Sequence, residues 1–347
     1  MTIMGFSLKY SLALFGAVLL SGCVKTMVQD GGDDLSPMQF GKSEVMTRSI
    51  VTNDSFENEG TVFNVWGTYH SSSDRNFIPV DVFSGTKVTK TGSKWSYDDT
   101  RYWLPGFRYN FRALHPAVLA AFPGMVSYSY AQDEDHPHGN PDNAVLSISS
   151  YDGRSGHDIL YAASGPIAAV RGKMPAVAFD FNHILAYVLF EGAVDPSVDR
   201  EVEIVSAKLY GATATGSWTS APSPAGTWDV TGGEKSTAPN PYASTSQVLS
   251  LTSKYVSVFP QGSEVLMIPQ DIQTGTIFEI QYRYTSGNTA LRTVRTDISS
   301  IGASFKAWKA GSTYRYRFNI GDTDFIVFDK PTVTEWIDQD GGNYIIQ

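Results

Sequence analysis

Tyr314-Arg315-Tyr316-Arg317-Phe318-Asn319-Ile320 alternates an aromatic or aliphatic side chain with a polar one at every step. Phe278-Glu279-Ile280-Gln281-Tyr282-Arg283-Tyr284 does the same. Successive side chains of a strand point to opposite faces, so strict period two predicts β-strands with one buried and one solvated face. Antiparallel sandwiches are built from such strands. Val177, Phe179 and Phe181 carry the same signature, as do Phe63, Val65 and Tyr69 within Thr61 to Tyr69. Turn signals separate the runs: Ser84-Gly85, Thr91-Gly92-Ser93, Asp152-Gly153, Ser286-Gly287-Asn288 and Ala310-Gly311-Ser312. Together these features predict an all-β chain made of antiparallel sandwiches.

Composition agrees. Of 347 residues only 18% are charged while 13% are aromatic, and 31 are glycine. Neutral polar residues and glycine suit sheet surfaces and turns better than helices. The net charge of −9 and the lack of a basic block exclude nucleic acid as an expected partner. Helical candidates are few: Pro116 to Phe122 has room for two turns, and His183 to Leu189 reads equally as helix or strand. Thr219 to Tyr242, rich in Pro, Gly, Ser and Thr, reads as a long loop. The length suggests two domains. Their boundary is best placed between Gly165-Pro166 and Met174-Pro175, with Glu191 to Asp199 as the second choice.

Ser11 to Leu20 is a ten-residue apolar run after Lys9. It is too short to span a bilayer and fits the hydrophobic region of a secretory signal. Leu20-Ser21-Gly22-Cys23 then reads as a bacterial lipobox, so the Cys23 thiol is the expected lipidation site. Cys23 is the single cysteine, and no disulfide within the chain is available. Residues 1–22 are therefore read as a lipoprotein signal peptide and 23–37 as a lipidated tether, acidic at Gln29 to Asp34. Residues 38–172 and 173–347 are the expected N-terminal and C-terminal sandwich domains.

No catalytic constellation emerges. Gly41-Lys42-Ser43 lacks the glycine that a phosphate loop needs at position 36, which is serine. No G-x-S-x-G nucleophile elbow occurs. Ser155, His157 and Asp158 stand too close in sequence to converge as a triad. Asp133-Glu134-Asp135-His136-Pro137-His138 is the densest set of ligand-type side chains, but its prolines and Gly139 read as an exposed loop. Trp66, Trp95, Tyr97, Tyr102 and Trp103 are either sugar-stacking residues or core. The expectation is a chain without catalytic residues, metal or cofactor.

Four segments, in order, resemble the fimbrillin family, the Bacteroidales subunits of type V pili. They are Trp95 to Ala113 (WSYDDTRYWLPGFRYNFRA) and the pair Asp158–Ala162 with Val177–Ala186. Val265–Gln270 and Trp308–Tyr316, with a late Trp336, complete the set. The family's Trp-Pro pair is Trp103-Leu104-Pro105 here. The resemblance implies two tandem transthyretin-like β-sandwich domains, export as an outer-membrane lipoprotein, and polymerisation by strand exchange into an adhesive fimbrium. Its implied partners are other fimbrillin subunits, a trypsin-like processing protease, membrane lipid through Cys23, and a glycan or protein on a host or bacterial surface. By the same resemblance, cleavage falls between Arg48 and Ser49, and Met38 to Val45 is the strand lost. Donor-strand candidates are Phe325, Ile326, Val327 and Phe328, and, beyond Gly341-Gly342, Tyr344, Ile345 and Ile346. The competing expectation is a glycan-binding surface lipoprotein with two β-sandwich modules.

Overall fold

The computed structural model describes residues 35–41, 44–45, 56–116, 124–220, 225–260, 265–301, 305–321 and 326–335. These residues form an all-β protein of predominantly antiparallel sheets. The first sheet has seven strands in the order Glu44–Val45, Asp180–His183, Leu160–Ala168, Phe107–His115, Val62–Ser71, Val80–Thr91, Lys94–Ser96. Phe63, Val65, Phe83, Val88, Tyr109, Phe111, Phe179 and Phe181 point from it into one aromatic core, as the alternation predicts.

The other face of that sheet is not solvated. Trp66, Leu114 and Tyr161 pack into a second core with Leu146, Ile148, Trp218, Leu266 and Ile268. Two polar groups on this face find partners: the Asn64 amide donates to Gly85 O at 2.7 Å, and the Thr68 hydroxyl donates to Asp81 Oδ1 at 2.9 Å. Period two identifies a strand without revealing whether a second layer covers its polar side.

That layer is a four-stranded sheet, Thr227–Asp229, Thr215–Thr219, Val145–Asp152, Val126–Ser129. It joins residues from both sides of the expected boundary at 172/173. The long loop read over Thr219 to Tyr242 contains one of its strands, with Trp228 opposite Trp218. The Trp228 indole donates to Ile184 O at 2.6 Å. Three residues among Pro, Gly and Ser carry too little periodicity to reveal a strand.

The remaining chain forms two facing sheets. One pairs Ala186–Val194 in parallel with Ser312–Ile320. The other centres on Val202–Tyr210 and Ile277–Tyr284, flanked by Arg292–Asp297. The Phe190 ring stacks on Phe278 at 4.2 Å and on Tyr316 at 5.0 Å, at the middle of this core. His183 to Leu189, open between helix and strand, is resolved as strand from Ala186 onward. Met174, Val177, Phe179 and Phe181 pack with the residues before 172, so the chain leaves the first core only after His183.

Candidate functional site

Ser36–Gly41 and Glu44–Val45 lie along both edges of the first sheet. On one side Met38 N–H donates to Arg101 O (2.7 Å), and Trp103 N–H donates to Ser36 O (3.0 Å). On the other, Val177 N–H donates to Gln39 O (2.7 Å), and Gly41 N–H donates to Val177 O (2.8 Å). Glu44–Val45 then continues in parallel beside Asp180–Phe181. Phe40 is bridged to Trp95 and Val177 at once. The segment therefore closes the first sheet as an inserted strand. Proline at 37 costs no ladder bond where it bridges Tyr102, consistent with its confinement to edges.

Its side chains alternate. Met38 and Phe40 are buried while Pro37 and Gln39 are exposed. The Phe40 ring lies 5.5 Å from Phe83, 5.5 Å from Tyr97, 5.9 Å from Phe179 and 6.1 Å from Phe63. Burying Met38 and Phe40 contributes about 3–6 kcal/mol at the usual scale for large apolar side chains. Phe56, fully buried, fills the same core near Phe63, Trp95, His115 and Phe181. The connection between Val45 and Phe56 holds the expected cleavage pair Arg48 and Ser49, which lies outside the described residues. Withdrawal of Ser36–Gly41 and Glu44–Val45 would uncover two rows of backbone donors and acceptors and an aromatic wall. Such an edge recruits another strand.

The C-terminal donor candidates divide. Ile326–Phe328 pairs antiparallel with Phe318–Ile320, and the Phe328 ring lies 5.5 Å from Phe318 and 6.1 Å from Phe278. Ile326 and Phe328 pack on the core between the two facing sheets, and Val327 points outward. Asp329 accepts the Tyr255 hydroxyl at 2.6 Å, pinning the strand's end. Thr332–Glu335 follows along the same edge, pairing with Ser312–Arg315. Phe325, Tyr344, Ile345 and Ile346 lie outside the described residues, as does Cys23.

Other sequence candidates acquire structural roles. Trp66, Trp95 and Trp103 are buried and Tyr97 and Tyr102 half-buried, so the three indoles offer no platform for a sugar. Asp133 binds its own loop: Oδ1 accepts from the His136 backbone and imidazole, at 2.7 and 2.9 Å, and Oδ2 accepts from the Asn140 amide at 2.6 Å. These bonds, Asn140's first and then His136's, hold its carboxyl below the usual carboxylate range. No cluster of three His, Cys, Asp or Glu poised for a metal occurs among the described residues. Asp158 turns away from His157 and is buried against His183, Oδ1 to Nδ1 2.7 Å. The His115 imidazole is held below its ordinary value by burial, opposed by its hydrogen bond with Val62 O at 2.8 Å. Sequence reading missed the Asp158–His183 pair and the plug at Phe56. The pair's partners are 25 positions apart, and no local pattern links them.

A family model described as fimbrillin-like matches residues 47–336. The chain belongs to the fimbrillin-like family. It is accordingly a structural fimbrial protein of the cell surface, not an enzyme. This fimbrillin-like chain is similar in fold to a fimbrial protein from Bacteroides vulgatus. The identity is 14% and the TM-score 0.53, covering 88% of this chain and 100% of the other. A fimbrial assembly protein from Parabacteroides distasonis also matches, at 11% identity and TM-score 0.39, covering 86% and 99%. The tip fimbrial protein Mfa3 from Porphyromonas gingivalis, truncated at its C-terminus, matches at 10% and 0.33, covering 87% and 98%. No curated protein matches the sequence.

Proposed function

We propose that this fimbrillin-like protein is a lipid-anchored pilus subunit, activated by proteolysis after Arg48 and assembled by strand exchange. The single observation behind this reading is the seating of Ser36–Gly41 and Glu44–Val45. It is hydrogen-bonded on both sides with Met38 and Phe40 in the core, and it leads directly into the connection that carries Arg48. An extended donor from another subunit would satisfy the same ladder and place alternate side chains in the Met38 and Phe40 positions. The packing of Phe328 makes Ile326–Phe328 a resident strand on this reading, and assigns donation to the residues after Glu335, including Tyr344, Ile345 and Ile346. The two sandwiches hand over near His183 to Ala186, and the assembled fibre serves adhesion.

The test is limited trypsin-type digestion of the non-lipidated protein, with N-terminal sequencing and unheated denaturing gels. One cut after Arg48, followed by a ladder of resistant oligomers, is the expected result for a shaft subunit. The cut without oligomers would assign a tip or accessory role that accepts a donor and provides none. Resistance at Arg48 would refute proteolytic activation.

A further inference from the structure

Residues 131–143 fold on themselves and are fastened to the first sheet through one carboxylate. Asn140 N–H donates to Ala131 O at 2.8 Å and Gly139 N–H to His136 O at 3.0 Å, closing the loop. A single 3₁₀ turn, Pro141–Asn143, then sets Asp142 against the strands Val62–Ser71 and Phe107–His115. Its Oδ1 accepts the Asn110 amide at 2.7 Å, and its Oδ2 pairs with Arg108 at 3.2 Å. Separate contacts hold the chain beyond both ends: the Tyr128 hydroxyl lies 3.1 Å from that of Thr68, and Ala144 is buried.

His70 lies beneath this fastening. Its side chain is only 3% exposed, and its Nε2 stands 3.6 Å from Asp142 Oδ1, too far for a hydrogen bond. Its Nδ1 is buried and makes no hydrogen bond among the described residues. The ring is roughly perpendicular to that of His136, with centroids 5.7 Å apart. Asp142 and His136 from the loop and Arg108 from the sheet are the charged and titratable groups facing it. An imidazolium carries two N–H donors. Here one of them would have no acceptor, and the charge would be shut from water beside a guanidinium. Burial accordingly holds the His70 imidazole below its ordinary value; Asp142 opposes this, and His136 and Arg108 reinforce it.

We propose that His70 is an acid-sensitive latch, whose protonation undocks residues 131–143 from the first sheet. The neutral ring fits its buried position, whereas the cation gains water only once Asp142 lifts away. The groups bared beneath are His70 and Asn110, both polar, so the aromatic core on the sheet's other face stays closed. With the loop released, His70 takes its proton near the ordinary value of about 6.5; with the loop docked, only at lower pH. Falling pH therefore favours release below about pH 6.5, by at most about tenfold per pH unit. The latch needs neither cleavage nor a lipid anchor.

Amide hydrogen exchange of the uncut, non-lipidated protein between pH 7.5 and 5 tests this, after correction for the intrinsic pH dependence of exchange. Protection of the Gly139, Asn140 and Asn143 amides should fall about tenfold over that range, while Val62–Ser71 and Phe107–His115 keep theirs. His70→Gln, which stays neutral, should leave the loop docked and remove the pH dependence. His70→Asn serves the same purpose if the glutamine variant does not fold. His136→Gln should keep the pH dependence. Unchanged protection down to pH 5 would overturn the proposal, as would a loss that persists without His70 or disappears with His136 alone. Loss at the same pH throughout both strands would refute it too, because that is unfolding of the sheet and not release of a loop.

Discussion

Phe40→Ala separates a strand that holds the first sheet and its core together from one that merely lies on it. The ring is buried among four aromatic neighbours. Truncating a buried Phe costs about 3–5 kcal/mol, and a segment tethered on one side relaxes more easily than a central strand, so about 3 kcal/mol is expected. Urea unfolding of the uncut protein should show this as a lower midpoint with an unchanged slope. After cleavage in the Val45–Phe56 connection, the segment is held only by its hydrogen bonds and the Met38 and Phe40 side chains. The same 3 kcal/mol then becomes roughly a 10²-fold faster release of the peptide, read by gel filtration and mass spectrometry. Gln39→Ala, at an exposed neighbour, should change neither quantity by more than about 0.5 kcal/mol. If Phe40→Ala leaves both the midpoint and the release rate unchanged, the segment does not stabilise the fold and the groove argument fails.

Phe328→Ala should lower stability by about 3 kcal/mol, because its ring packs on Phe278 and Phe318. Truncation after Glu335 should leave the urea midpoint nearly unchanged while abolishing oligomers on unheated gels. Gly211→Ala should destabilise strongly or prevent folding, since Gly211 has φ +91° and a Cβ would sit 1.9 Å from Gly275 O. Thermal melting of the purified variant reads this directly. Acid should weaken the fold through His115, which faces Val62 O, Phe56, Asp158 and His183. Burial lowers its folded-state pKa below the ordinary 6.5, so the unfolded chain binds the proton first. Its contribution is complete above about pH 6.5 and falls below it by at most about 1.4 kcal/mol per pH unit. His115→Gln should flatten that slope in urea titrations at stepped pH.

Local chemistry determined the fold class. Period-two runs such as Tyr314 to Ile320 and Phe278 to Tyr284 are strands wherever they pack, because alternation is a property of the backbone itself. The ordered motifs also determined the family, since each is a short stretch read without knowing its neighbours. Tertiary structure decided which edges those strands meet. That Met174 to Phe181 serves the first core, that Trp66 has a second layer over it, and that Asp158 finds His183 all depend on contacts between distant segments. The N-terminal strand shows the difference most clearly. Its sequence offers two apolar residues spaced by two. Only the fold brings Arg101, Trp103 and Val177 to opposite sides of it and makes it the piece that closes the sheet. Alternation specifies a strand's faces, while its partners are selected by the packing of everything else.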